Sequence, residues 1–315
     1  MKSGNITLTK SMICTLIAII NGKNSLGLLQ QELNASKSWV TRIIEQLEKQ
    51  GFARKIRRGI SLKIELAETP FAISFRNMYL EKPYRKYEEM FLGRNLDVLL
   101  SIATGKKSAQ TIADMMGVQA RIIRPRLRFL ANKGLLVKEG RKYGISESQK
   151  QVIRFLLDLR NFSTYSGRLL WRFGDESLIK VRSPPKIKGA LTGMNRYKDF
   201  GVAVNTVAFM CYMGHEKISI NHVFLHSLFE IDDARSVSLA VTFYAKNKLY
   251  TTKNLRKIHK LAEKYDKSNE VKEIERIFIL FKQRKTEKII ESEWLPVIDL
   301  KEIKRHFALY EVKNV

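Results

Sequence analysis

The chain reads as an α+β, helix-rich protein: two similar units of three helices and a β-hairpin, then a mixed α/β domain. Three observations lead there. Helix-period apolar runs occur twice in the same order, each followed by a short alternating run with glycine at its turn. The two copies are offset by roughly 85 residues, too long for a solenoid repeat and suited to two small domains. After about residue 162 the composition shifts to strand-like runs and then to a long helical stretch. With 315 residues, 44% of them apolar, the chain can bury two or three cores.

The first copy spans 1–69. An apolar-rich helix from Thr9 to Ile20 stops at "NGKNS", and "LGLLQQEL" (Leu26 to Leu33) forms a short second helix. Ser36 is placed to cap a third helix that runs to about Gln50, with Val40, Ile43, Ile44 and Leu47 on its inner face. Gly51 stops it. "FARKIRRGISLKIEL" supplies a hairpin about Arg57, Arg58 and Gly59, in which Ile60, Leu62, Ile64 and Leu66 alternate. Three helices and a hairpin in this order make the winged helix-turn-helix pattern.

Residues 70–93 read as a linker of two helical pieces broken at Pro83, with enough aromatic residues to pack. The second copy, 94–162, has helices from Asn95 to Ala103, Ala109 to Met116 behind a Ser108 cap, and about Gln119 to Lys133. Gly134 ends the last of these, and "LLVKEGRKYGIS" makes a shorter hairpin turning near Gly140. An amphipathic helix follows with Val152, Phe155, Leu156 and Leu159 inward, and its Gln149 to Leu159 stretch could also pair two chains. The fold class is therefore two winged helix-turn-helix domains followed by a mixed α/β domain, 163–315. In that last domain "SLIKV" and "VNTVAFMCYM" read as strands separated by a loop at Pro184 and Pro185. "HVFLHSLFE", "SVSLAVTFYAKN", "NLRKIHKLAEKY" and "EVKEIERIFILFKQ" read as helices.

Charge sets the partner. Lys and Arg number 57 against 31 Asp and Glu, a net +26 that points to a polyanion. The third helix of the second copy contains "RIIRPRLRF". Ile123, Leu127 and Leu130 must face the core, which puts Arg121, Arg124 and Arg128 on the opposite face with no acid between Asp114 and Glu139. Guanidinium groups grip phosphate bidentately and read guanine O6 and N7 in the major groove, where a helix fits; a merely solvated face usually mixes signs. Pro125 interrupts the ladder, so either the helix begins near Arg124, with Arg121 on the turn and Arg124 and Arg128 meeting backbone phosphate, or the helix kinks.

In the first copy Lys37, Ser38, Thr41 and Arg42 open the third helix, a mixture suited to base edges and phosphates. Trp39 can stack on a thymine methyl or sugar, or pack against the hairpin. Arg54, Lys55, Arg57 and Arg58 on the hairpin suit a phosphate track or minor-groove insertion. Arg126, Arg141 and Lys142 complete the candidate set. Contact by about six to eight of these cations gives a slope of log K against log salt of roughly −5 to −7.

Enzyme chemistry finds little support. His222 and His226 stand at i and i+4 with His215 nearby, but without the glutamate of HExxH or a completing Cys or carboxylate, so packed or capping histidines are expected and no metal or cofactor is. Asp232 and Asp233 suit helix capping. "LTGMNRYKDFG" brackets a helix with glycines at neither dinucleotide-binding nor Walker spacing. Cys14 and Cys211 form no CxxC pair, which fits a reducing compartment. The longest apolar run, Met12 to Ile20, falls short of the roughly 20 residues a spanning helix needs. It could serve as a signal-peptide core behind Lys2 and Lys10, but no small-residue cleavage site follows. Cytoplasmic, nucleoid-associated placement without membrane binding is expected.

The segments "ELNASKSWVTRIIEQLEKQGFARK" and "SAQTIADMMGVQARIIRPRLRFLANKGLLVKEGRKYGIS" resemble winged-helix transcription regulators of MarR-like and related archaeal types. The resemblance implies that the third helices read DNA through Lys37, Ser38, Thr41 and Arg42 and through Arg121, Arg124 and Arg128, with Pro125 departing from the pattern. The last half is similar, on "LTGMNRYKDFGV", "HSLFEIDDARSVSLAVTFYAKNK" and "LRKIHKLAEKYD", to the C-terminal region of archaeal winged-helix proteins and abortive-infection-type antitoxins with a nucleotidyltransferase-like fold. The Gly-Ser and Asp-x-Asp of active nucleotidyltransferases are absent, which implies a non-catalytic regulatory or partner-binding domain. The expectation is a double-stranded-DNA-binding transcriptional regulator, monomer or homodimer. Its alternatives are an antitoxin-like partner of an enzyme, a cryptic nucleotidyltransferase and a sequence-blind DNA or RNA binder.

Overall fold

The computed structural model describes residues 6–59, 61–162, 167–183, 189–214, 217–283 and 289–312. The protein is α+β and helix-rich with small antiparallel sheets, and it divides into two compact units, Met1–Thr164 and Tyr165–Val315.

The first unit opens with α1 (Lys10–Ile20), α2 (Leu26–Leu33) and α3 (Lys37–Lys49). Thr9, Ser25 and Ser36 each turn an extended backbone into a helix and accept a hydrogen bond from an N–H of the first turn, satisfying a donor the helix cannot. Asn34 ends α2 in the left-handed region at φ 46°, which Asn tolerates better than most residues. Val40, Ile43, Ile44 and Leu47 are buried as their spacing requires. β1 (Ala53–Arg58) and β2 (Ser61–Leu66) pair antiparallel from Ala53 opposite Leu66 to Arg58 opposite Ser61. The chain reverses at Gly59, whose φ of +62° favours a residue without Cβ.

Thr69 caps α4 (Pro70–Glu81) with Pro70 in the first turn, and the short α5 (Tyr87–Met90) follows the break at 82–86. The second half comprises α6 (Arg94–Ile102), β3 (Lys107–Ser108), α7 (Ala109–Met115), α8 (Ala120–Asn132), β4 (Leu136–Glu139), β5 (Lys142–Ile145) and α9 (Lys150–Asn161). Its sheet has three strands in the order β3-β5-β4 rather than the two expected. β3 is only two residues long and carries no apolar alternation, so it leaves no period to read.

The 70–93 segment is the centre of the unit. Phe71, Phe75, Met78, Tyr79, Tyr87, Met90 and Phe91 belong to the same continuous core as the inner faces of α1, α3, α6 and α8. Phe52 meets Phe71 edge-on at 4.7 Å between ring centroids, Phe71 meets Phe162 at 4.9 Å and Phe75 meets Phe155 at 5.4 Å. The Tyr87 hydroxyl donates to the Met78 carbonyl at 2.9 Å, and burial pushes its pKa up to about 12. α9 spends its apolar face, Val152, Phe155, Leu156 and Leu159, inside this core and against α4. That face is therefore closed to a second chain.

The second unit contains a four-stranded antiparallel sheet in the order β6-β7-β9-β8, from β6 (Arg168–Phe173), β7 (Glu176–Val181), β8 (Ala190–Leu191) and β9 (Phe209–Met213). Helices α10 (Ile220–Ser227), α11 (Ala234–Lys246), α12 (Thr252–Tyr265), α13 (Ser268–Lys282) and α14 (Leu300–Leu309) complete it, with β10 (Ile289–Ile290) pairing β11 (Ile298–Asp299). α11 is buried continuously from Ser236 to Ala245, the mark of a central helix. Two expectations change. "VNTVAFMCYM" is a strand only over Phe209–Met213, because the Asn195 side chain holds its approach, donating to the Ala208 carbonyl at 2.9 Å and accepting from Met210 N–H at 2.7 Å. "LTGMNRYKDFG" forms a 3₁₀ segment, Gly193–Phe200, not an α-helix. The loop at Pro184 and Pro185 lies outside the described residues.

Candidate nucleic-acid interface

The buried stripe of α3 fixes the direction of everything else on that helix. Lys37, Ser38 and Arg42 are exposed and Thr41 is half-buried beside them, and the first turn carries no acid. Lys37 and Arg42 have no side-chain hydrogen bond or ion pair to the described residues. The Thr41 hydroxyl donates to the Lys37 carbonyl at 2.9 Å, which fixes its rotamer and leaves its lone pairs outward. Ser38 shares a hydroxyl contact of 3.2 Å with the capping Ser36. Trp39 packs on the core rather than standing free.

On the hairpin the expected cation track is cut short. Arg54 stands opposite Glu65 in the strand register and pairs with it at 3.4 Å, and with Glu68 at 2.8 Å. Lys55 reaches back to α3, to Glu48 at 3.3 Å and Glu45 at 3.9 Å. Such part-exposed pairs contribute about 0–1 kcal/mol each, but they neutralise both cations locally. Arg54 and Lys55, expected among the phosphate contacts, thus each have carboxylate partners within the first unit. The acids responsible were legible in the sequence as a cross-strand pair and a helix facing the hairpin; only the register assigns them. Arg57 is exposed, and the Arg58 side chain lies outside the described set.

α8 begins at Ala120, so a start near Arg124 is ruled out and Pro125 sits inside the helix. Proline has no N–H to return to the Arg121 carbonyl, and both residues are exposed, where water can take that acceptor. Ile123, Leu127 and Leu130 are buried, and Arg121, Arg124 and Arg128 share the exposed side without a partner among the described residues. Arg126 does not belong with them. Its guanidinium turns to α6 and donates to Asn95 Oδ1 at 3.0 Å, so it ties two helices together. At the end of the helix Lys133 donates to Glu89 at 2.9 Å, and that bond holds the carboxyl below the usual carboxylate range. Arg141 and Lys142 are exposed at the tip of the second hairpin, where Lys142 lies opposite Glu139, itself paired to Lys106 at 2.5 Å.

His222 and His226 have partners within the second unit. His226 is fully buried with Nδ1 at 2.7 Å from Thr192 Oγ1, and His222 accepts from Ser219 at the start of α10. Asp233 caps α11 through Ser236 N–H at 2.7 Å. His215 lies outside the described residues. Among the described residues no group of three or more His, Cys, Asp or Glu is placed to hold a metal ion, and no helix is long and apolar enough to cross a membrane. No known protein-family model and no curated protein matches the chain.

Proposed function

We propose that the protein is a double-stranded-DNA-binding transcriptional regulator, with α1–α3 plus β1–β2 and α6–α8 plus β3–β5 acting as tandem winged helix-turn-helices. The second unit would be a regulatory or partner-binding module without catalysis. One observation carries the reading: α3 and α8 each bury one stripe and turn out from the opposite side cations without a partner among the described residues, Lys37 and Arg42 on one, Arg121, Arg124 and Arg128 on the other. The likeness of both segments to winged-helix regulators supports it. α3 mixes hydroxyls with cations and suits base edges. α8 offers only guanidinium groups beside an exposed proline and suits the backbone.

Fluorescence anisotropy with promoter fragments and scrambled duplexes across a salt series tests this. The expected result is a preference of about a thousandfold for one fragment, the scale of specific regulators, erased by Arg42→Ala. Arg124→Ala with Arg128→Ala should weaken all duplexes alike and make the salt slope less steep by about two. Equal binding of every duplex by the wild type would instead mark a sequence-blind binder.

A further inference from the structure

We infer that the second unit carries its own polyanion-binding surface, the exposed side of α12, and that its ligand is the phosphate backbone of duplex DNA. Lys253, Arg256, Lys257 and Lys260 stand at i, i+3, i+4 and i+7, all exposed on one side of the helix. The opposite side is spent on the core through Ile258, Ala262 and Tyr265. Lys253, Arg256 and Lys257 have no side-chain hydrogen bond or ion pair to the described residues.

Local electrostatics oppose this arrangement. Cations three and four apart on a helix repel, and Lys253 faces Arg256 and Lys257 at these two spacings. Lys253 also sits in the first turn, at the positive end of the helix dipole. Acids that touch the helix are placed elsewhere: Glu275 pairs with His259 at 3.0 Å, Glu176 with the buried Lys264 at 2.8 Å, and Glu263 follows at the C-terminal end. Among the described residues no carboxylate pairs with Lys253, Arg256 or Lys257, so their mutual repulsion is not relieved there, whereas a phosphate row relieves it. From Lys253 to Lys260 the helix advances about 10 Å, opposite which a duplex presents about six phosphate charges. A membrane surface fits less well, because an interfacial helix needs an outward apolar side and that of α12 is buried. This surface does not depend on α3 or α8 binding DNA.

The test is anisotropy of the full chain with a labelled duplex across a salt series, comparing wild type with Lys253→Ala/Arg256→Ala/Lys257→Ala, and lysine acetylation of the complex read by mass spectrometry. Alanine is the best helix former, so the variant keeps α12. The expected result is affinity about tenfold or more weaker, a slope less steep by about three, and slower acetylation of Lys253 and Lys257 when duplex is present. A slope equal to that of wild type, or equal acetylation with and without duplex, overturns the inference. So does pelleting with phosphatidylserine vesicles that the triple variant loses while its duplex binding stays intact. Loss of binding in the α12 variant but not in Arg124→Ala with Arg128→Ala would sink the α8 assignment and leave this one standing; the reverse would do the opposite.

Discussion

Arg124 and Arg126 are two residues apart and have opposite fates, which makes them a sharp pair for experiment. Arg126→Ala removes the hydrogen bond to the nearly buried Asn95 and leaves that amide oxygen short of its donor. It should cost about 1–3 kcal/mol of stability in denaturant while leaving the salt slope of DNA binding unchanged. Arg124→Ala with Arg128→Ala should do the reverse. Pro125 is a second residue-scale lever. Its replacement by alanine restores one ladder bond at an exposed site and should stabilise the first unit by about 1–3 kcal/mol, seen as a higher urea midpoint. His226 supplies a pH signature. Burial, with His222 and Lys264 nearby, holds its imidazole well below the ordinary histidine range, so the unfolded chain takes up the proton first. Stability from this residue is full above the unfolded pKa of about 6.5 and is lost as pH falls below it, by up to about 1.4 kcal/mol per pH unit. The stability difference between wild type and His226→Gln should therefore shrink as pH drops from about 6.5 towards 5.

At the scale of elements, α4 and α9 matter more than their positions between and after the repeats suggest. Phe75 on α4 touches Phe155 on α9 and Phe52 just before β1, at 5.4 and 6.5 Å between centroids. Phe75→Ala should cost about 3–5 kcal/mol. Because both halves share that core, their protection should be lost together, which amide hydrogen exchange resolved for α3 and for α8 across a denaturant series can check. Two separate transitions would show that the halves fold as independent domains. The same packing explains how α3 and α8 are presented. Each is fixed by a buried stripe, so its cations are held on a rigid element rather than on a loop.

For the whole molecule, the net charge of +26 should give the proposed DNA binding a steep salt response, with the number of cations that meet phosphate setting how steep. Of the candidate cations, Arg54, Lys55 and Arg126 have partners within the first unit, and Lys37, Arg42, Arg57, Arg121, Arg124, Arg128, Arg141 and Lys142 are exposed. Six to eight phosphate contacts among them correspond to a slope of roughly −5 to −7 for duplex DNA, and the α12 row would add about three more. Much of this architecture was legible in the residues. Ser36 and Ser108 mark helix starts, Val40 to Leu47 and Ile123 to Leu130 mark inner faces, and Gly59 and Gly140 mark turns, because caps, periods and positive φ are local properties of the chain. The charge and its sign were equally plain. What only the tertiary structure decided is which cations are open. Whether Arg54 meets Glu65 or a phosphate, whether Arg126 faces Asn95 or solvent, and whether α9 packs inward or against a second chain depend on contacts between residues distant in sequence. No local period encodes those contacts, since they are chosen by the register of the strands and by which apolar faces close on one core.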